Sequence, residues 1–120
     1  MHDHQQLRVW AESRDLVSRI YDLTRNFPDD ERFGLTAQLR RSATSIPSNI
    51  AEGAGRGRTG RSFGQFLRIA AGSASEVETQ LQLALDLGFV GAETVEPHFC
   101  QVRSIRKMLW GLESHYSRQE

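Results

Sequence analysis

Apolar residues recur every three or four positions along almost the whole chain, and this spacing is typical of amphipathic α-helices. Four segments show it, over about residues 7–27, 33–54, 61–87 and 93–116. Residues that end helices separate them, such as Pro28 after the first segment and Gly88 after the third. No stretch alternates with a period of two over enough residues to compete as a strand. The sequence therefore predicts one all-α domain over residues 1–120, an antiparallel up-down four-helix bundle.

Two features disturb this regular pattern. Pro47 falls inside the second segment, where it removes a backbone hydrogen bond and its ring crowds the carbonyl of Ala43. Because the apolar phase continues from Ile46 to Ile50, we expect one kinked helix rather than two. The third segment contains a patch of small residues at 70–75, where a glycine costs about 1 kcal/mol relative to alanine. Close helix packing at Gly72 and Ser73 would offset this cost, with a partner helix from the same chain or from a neighbouring subunit.

Charge is unevenly distributed, although 15 basic and 15 acidic residues cancel to a net charge of zero. Between residues 40 and 68 the only acidic residue is Glu52, whereas residues 69–102 contain no Lys or Arg. A guanidinium group suits bidentate contact with phosphate or carboxylate, so the basic stretch is the candidate nucleic-acid-binding surface. Its six arginines are Arg40, Arg41, Arg56, Arg58, Arg61 and Arg68.

Part of that stretch, residues 53–62, reads GAGRGRTGRS and is one substitution from a phosphate-binding P-loop. A P-loop follows a buried strand, however, and a predicted helix precedes this segment, so nucleotide hydrolysis is not expected. Arg58 and Arg61 flank the start of the third helix, where the helix dipole disfavours cations. A bound phosphate would relieve that conflict. The simpler interpretation is a flexible glycine linker with solvated arginines.

A second interpretation of the same arginines is that they serve a subunit interface. In a ring built from head-to-tail contacts, the basic stretch of one subunit could face the acidic residues 69–102 of the next. Salt distinguishes the two interpretations: it would weaken RNA affinity in the first and loosen the oligomer in the second.

Asn49 and Glu52 lie in the kinked part of the second helix. A general base needs a partner and a pocket, so we expect a structural role instead. The prediction is a polar network in which these two residues meet Glu76 or Glu78 across helices, with help from Arg40 or Arg41.

The remaining polar and aromatic residues suggest no catalytic or metal site. The histidines are scattered, Cys100 is interpreted as a small core residue, and Trp10 and Trp110 as core or interface anchors remote from the basic segment. We therefore expect no enzymatic activity, no metal, no cofactor and no small-molecule substrate. No run of eighteen apolar residues predicts a membrane span, and a single cysteine fits a reducing cytoplasm.

Several motifs together resemble one known bacterial family. The strongest is residues 33–53, which ends in IPSNIAEG; others are Val9-Trp10, Phe27-Pro28, residues 63–67, Gly72-Ser73 and residues 76–81. They resemble the four helix bundle protein family, also called the 23S ribosomal RNA intervening-sequence protein family, over roughly residues 7–115.

The resemblance implies a bundle that assembles into a homopentameric ring. The family is named for genes that lie in insertions within large-subunit ribosomal RNA genes. A similar protein is an accessory factor of the reverse transcriptase of diversity-generating retroelements, where a basic surface meets nucleic acid. We therefore expect a non-enzymatic oligomer, a homopentamer, that binds RNA or DNA through a basic surface. The alternative is a purely structural or protein-interaction ring.

Overall fold

The chain folds into four α-helices. The computed structural model describes residues 7–56 and 60–118, with the side chains of residues 60 and 61 left out of that description. The helices are α1 (Arg8–Thr24), α2 (Leu35–Gly55), α3 (Gly60–Asp86) and α4 (Ala92–Ser117), with a short 3₁₀ turn at Asp29–Glu31. The described residues contain no strand. The predicted all-α four-helix fold is confirmed, and none of the helices described here is long and apolar enough to cross a bilayer.

Side-chain partners show that neighbouring helices run in opposite directions. On α3 and α4, Arg68 pairs with Glu113 while Glu78 pairs with Arg103. Residue numbers therefore increase along α3 in the direction in which they decrease along α4. Within the described chain, α1 packs on α2 and α4, and α3 packs on the same two helices, but α1 and α3 do not pack on each other. In cross-section the helices therefore occupy the corners of a square in chain order. The molecule measures 46 × 21 × 19 Å, with its long axis along the helices.

The core consists of the aliphatic and aromatic residues that the three- and four-residue spacing places on one face of each helix. Burying such a side chain contributes about 1.5–3 kcal/mol. The largest fully buried side chains include Phe63, Leu16, Ile20, Leu39, Ile46 and Leu81.

One end of the bundle is closed by residues outside the helices. The predicted first helix extended to residue 27, but α1 ends at Thr24 because the chain turns there, with Phe27 N donating to the Thr24 carbonyl at 3.1 Å. Phe27 remains buried, and its ring lies 5.6 Å from that of Phe89, which follows α3. Gly88 adopts a φ of 78°, a left-handed conformation that suits glycine and ends α3.

Pro47 lies inside α2, and the helix continues through it as predicted. Polar side chains around the proline bond back to carbonyls one turn earlier: Thr44 donates to Arg40 O, Ser48 to Thr44 O and Asn49 to Ser45 O, at 2.8–3.0 Å. Such bonds are associated with bending of a helix. They also leave these side chains satisfied within their own helix.

Gly53 marks a close approach between helices, at a position the sequence did not predict. A Cβ added to Gly53 would lie 2.7 Å from Phe66 Cβ and 2.8 Å from Phe63 Cδ1, so α2 can approach α3 only because this residue is glycine. Gly72, predicted to have this role, is exposed, and no atom lies within 4 Å of an added Cβ. Ser73 does lie at a helix contact, where its hydroxyl donates to Ser45 Oγ at 2.8 Å.

Candidate functional site

The antiparallel topology sorts charge along the long axis of the bundle. The start of α1, the end of α2, the start of α3 and the end of α4 meet at one end. Exposed Arg8, Arg56 and Arg118 lie there. By sequence, Arg58 lies between α2 and α3 and Arg61 is the second residue of α3, although Arg58 and the side chain of Arg61 lie outside the described residues. We call these five arginines the basic end.

The opposite end contains the connections from α1 to α2 and from α3 to α4. Three arginines, Arg25, Arg32 and Arg40, lie there among a larger number of carboxylates. The acidic side chains at this end are Asp22, Asp29, Asp30, Glu31, Asp86, Glu93 and Glu96. Three carboxylates, Glu12, Glu52 and Glu113, lie near the first end, fewer than its five arginines, so a chain of zero net charge has one basic end and one acidic end.

Arg56 is an arginine of the basic end whose side-chain contacts are defined. Its Nε donates to Glu52 Oε2 at 3.1 Å, and its guanidinium lies 5.1 Å from the ring centroid of Phe66. Both members of the ion pair are more than half exposed, with side-chain exposures of 58% and 54%. An exposed pair of this kind is worth only about 0–1 kcal/mol. Arg56 is therefore free to exchange its carboxylate partner for a phosphate at little cost.

Arg68 lies farther along α3 and faces α4, where its Nη1 is 3.4 Å from Glu113 Oε2. Beside it, Trp110 and Gly72 line an open groove of about 660 Å³ between the two helices. Trp110 thus lies near Arg68, one of the six arginines of the predicted surface. Residues 68 and 110 are distant in sequence, and only the antiparallel pairing of α3 with α4 brings them together.

Arg40 and Arg41 do not belong to the basic end. Fifteen or more helical residues separate them from Arg56, which corresponds to about 22 Å at 1.5 Å per residue. Arg40 is engaged within the subunit: its Nε donates to Thr24 Oγ1 at 2.8 Å, and its guanidinium lies 4.3 Å from the ring centroid of Tyr21. It therefore holds α2 against α1. The six predicted arginines do not form one surface.

Arg41 instead lines a polar groove between α2 and α3. Its neighbours along that groove are Gln38, Ser42, Ser45, Glu76 and Gln80. The motifs that carry the family resemblance, on residues 33–53 and 76–81, thus face each other across one groove. Sequence reasoning did not find it, although polar residues at three- and four-residue spacing on both helices were a signal.

The predicted polar network is divided in the structure into separate contacts. Asn49 bonds to Ser45 Oγ at 2.9 Å, and Glu52 pairs with Arg56 along the same helix. Glu76 is exposed, and among the described residues it has no ion pair. Asn49, Glu52, Glu76 and Glu78 therefore do not meet, because Glu78 lies on the side of α3 that faces α4 rather than α2.

Glu78 forms the main ion-pair cluster between α3 and α4. It accepts hydrogen bonds from Arg103 Nε at 2.7 Å and from Arg106 Nη1. Burial alone would raise the pKa of Glu78, but the hydrogen bonds and charges of Arg103 and Arg106 outweigh it and hold the pKa below its ordinary value of 4.5. This cluster is a structural link between helices.

Cys100 was expected in the core and is exposed instead. The core position is taken by its neighbour Phe99, and the next residue on a helix points about 100° away. Cys100 Sγ lies 3.6 Å from Glu96 Oε1. Within the described residues, no three His, Cys, Asp or Glu side chains are grouped so that they could hold a metal ion.

Comparison with known proteins gives a consistent result. A solved structure, that of a protein of unknown function from the S23 ribosomal protein family of Bacteroides thetaiotaomicron VPI-5482, is 28% identical with a TM-score of 0.76. The alignment covers 88% of this chain and 97% of that one. No curated protein matches the chain. The family model described as 23S rRNA-intervening sequence protein matches residues 5–111, and the chain therefore belongs to the 23S rRNA-intervening sequence protein family.

Proposed function

We propose that this protein is a non-enzymatic helical bundle that assembles into a ring, a homopentamer, and binds RNA or other nucleic acid through its basic end. The observation that carries the proposal is the convergence of four helix termini at one end of the bundle. That convergence brings Arg8, Arg56 and Arg118 together with the arginine-rich connection between α2 and α3.

The chemistry of this end favours phosphate. Arg56 is exposed, and its carboxylate partner is exposed too, so exchanging the carboxylate for a phosphate costs little. The start of α3 adds backbone N–H groups that have no acceptor within the helix and the positive end of a helix dipole, both of which attract anions. Arginine at that terminus is unfavourable without an anion. A phosphate backbone would satisfy all three features.

Assembly would strengthen such binding. In a ring whose axis runs along the bundles, the basic ends of all subunits lie on one face and the acidic ends on the other. Several weak phosphate contacts on one face bind a single RNA molecule with a higher effective affinity than one subunit alone. The acidic face would repel the same RNA, so the ring would bind it from one side.

The test is RNA binding by fluorescence anisotropy at two salt concentrations, with light scattering to record the mass of the oligomer. The combined variant Arg56→Ala, Arg58→Ala, Arg61→Ala should lose most of its RNA affinity and keep its mass. A matched control removes three arginines from the other half of the bundle, Arg19, Arg25 and Arg32. It should keep both its RNA affinity and its mass.

The second candidate is a purely structural ring in which arginines serve the subunit interface. Its support is the position of Arg41, which is remote from the basic end and lines the same groove as Glu76. If the ring is stable but shows no salt-dependent binding of RNA, this candidate is favoured over the first.

A further inference from the structure

The outward side of α3, opposite its core face, carries several exposed aliphatic side chains among its polar residues. It contains Ile69, Gly72, Leu83 and Leu87, which we call the α3 stripe, and its three aliphatic side chains are 52%, 44% and 62% exposed. The stripe extends over about 27 Å of helix. Glu76 lies within the stripe, exposed Arg68 and Asp86 border its two ends, and the sequence has no Lys or Arg from residue 69 to residue 102. A helix face that remains in water is normally polar, so this face is suited to contact with another helix.

Gly72 lies at the middle of the α3 stripe, and no contact within the subunit explains it. A glycine inside a helix costs about 1 kcal/mol relative to alanine. Gly53 offsets that cost by allowing α2 to pack against Phe63 and Phe66, whereas an added Cβ at Gly72 would meet no atom within 4 Å. A small residue at this position permits close approach from outside the subunit.

The outward side of α2 has the complementary properties. It contains Ala37, Arg41, Thr44 and Ser48, and Phe33 lies just before the helix; we call these five residues the α2 face. Phe33 is 86% exposed. The hydroxyls of Thr44 and Ser48 donate to carbonyls of their own helix and need no other partner. The α2 face thus carries one charge, that of Arg41, and is apolar at one end.

Charged residues of α2 and α3 lie at matching positions along the bundle axis. Ser45 and Ser73 are level, because their hydroxyl groups are hydrogen-bonded at 2.8 Å. Since α2 and α3 are antiparallel, four residues back along α2 corresponds to four residues forward along α3. Arg41 is therefore level with Val77, one residue and about 1.5 Å from Glu76.

The apolar residues match by the same count. Phe33, two residues before the start of α2, is near the level of Leu85, between Leu83 of α3 and Leu87 just beyond its end. Gly72 is level with the midpoint between Thr44 and Ser48. In a ring whose axis runs along the bundles, positions that are level in one subunit are also level between neighbours. The α2 face and the α3 stripe are therefore complementary in charge, size and order along the helix.

We propose that the α3 stripe of one subunit packs against the α2 face of a second copy, with Glu76 and Arg41 paired across the interface. This inference rests on the ring in the proposed function and assigns its contact surfaces. Phe33 then fits between Leu83 and Leu87, and Gly72 receives the helix surface between Thr44 and Ser48.

The position of the two helices in the bundle makes such a contact close into a ring. Neighbouring corners of a square point about 90° apart, the angle that closes a ring of four subunits, and a change of about 18° gives the roughly 108° of a pentamer. Diagonal corners such as α1 and α3 point in opposite directions and would give an open filament. In the closed ring, the polar groove that contains Gln38, Ser42 and Gln80 faces the central axis, and Arg41 and Glu76, which also line it, lie where the groove meets the two interfaces.

Charge reversal of the full-length protein tests the pairing by light scattering over a range of concentrations. Arg41→Glu and Glu76→Arg should each raise the concentration for half-assembly by about tenfold or more, because each places like charges opposite each other in every interface. The double variant R41E/E76R should return to within about threefold of the original protein. A matched control reverses the charges of Arg19 and Asp15, which form an exposed ion pair on α1, and this control should assemble normally.

The outcomes separate this inference from the proposed function. A protein that stays monomeric at every concentration contradicts the ring itself. A ring whose half-assembly concentration is unchanged by both single reversals, or is not restored in the double variant, overturns only the assignment of the interface. Phe33→Ser gives a second readout without a charge change: assembly should weaken, while helix content measured by circular dichroism stays the same.

Discussion

Replacement of Gly72 by glutamine should have opposite effects on the subunit and on the ring. Glutamine is a better helix former than glycine by about 0.5–1 kcal/mol, and no atom lies within 4 Å of a Cβ added at this position. Within one subunit the change should therefore stabilise α3 with no steric cost. In the ring, the longer side chain occupies the space through which a second helix approaches, and overpacking of this kind costs about 1–3 kcal/mol per contact.

Two measurements separate these effects. Thermal unfolding in the Arg41→Glu background, where assembly is weak, should show a melting temperature about 3 °C higher. Light scattering in the otherwise unchanged protein should show a half-assembly concentration raised by about tenfold. Gly111→Gln is the matched control, since Gly111 is an exposed glycine within α4 that also has no atom near an added Cβ. It should raise the melting temperature to a similar degree and leave assembly unchanged.

The result that would refute the reasoning is a Gly72→Gln protein that is more stable and assembles normally. Position 72 would then face solvent in the oligomer, and the α3 stripe would not be an interface. A lower melting temperature in the Arg41→Glu background would refute the other half of the reasoning, that Gly72 has free space around it in the subunit.

Three further predictions concern other positions. Gly53→Ala should lower the free energy of unfolding by about 1–3 kcal/mol, measured by urea denaturation, because its Cβ would clash with Phe63; an unchanged stability would contradict the close packing. Glu78→Gln should cost about 1–2 kcal/mol at pH 7 through loss of charged hydrogen bonds. Because the pKa of Glu78 is lowered by folding, that difference should be complete above pH 4.5 and disappear as pH falls through the folded-state pKa; a difference independent of pH would argue against the ion pair. Phe33→Ser should change the melting temperature in the Arg41→Glu background by less than about 1 °C, since the ring is 86% exposed in the subunit, and a large decrease would show that Phe33 packs within the subunit.

The fold was predictable because its signal is local. Three- and four-residue spacing of apolar side chains marks a helix wherever it occurs, and the predicted segments agree with the observed helices to within a few residues. Phe27 shows the limit of that signal. It continues the apolar phase of α1 and is buried, yet it lies beyond the end of the helix and packs on Phe89. Periodicity reports which residues are buried more reliably than where a helix ends.

The candidate site was predicted less well, because it depends on which helices are neighbours. Glu76 and Glu78 are two residues apart, yet one lines the groove towards α2 and the other bonds to arginines of α4. Gly53 and Gly72 look alike in sequence, and only the positions of neighbouring helices show which of them is in contact. These differences follow from the arrangement of helices rather than from residue type.

The arginines illustrate the same point over a longer distance. Arg41 and Arg56 belong to one basic stretch of sequence, but the length of α2 places them about 22 Å apart. Conversely, the bundle brings Arg8 and Arg118, from opposite ends of the chain, close to the connection between α2 and α3. The linear charge pattern correctly indicated segregation, and the topology converted it into a difference between the two ends of the molecule.

The central claim is that the basic end binds the phosphate backbone of a nucleic acid, and the most direct test is the salt dependence of RNA affinity. The logarithm of the association constant should fall linearly with the logarithm of salt concentration. The combined replacement of Arg56, Arg58 and Arg61 by alanine should reduce the magnitude of that slope by about 2–3, because each arginine that binds a phosphate adds roughly one to it. A slope that is unchanged in this variant, or an RNA affinity that does not depend on salt in the original protein, would contradict the account.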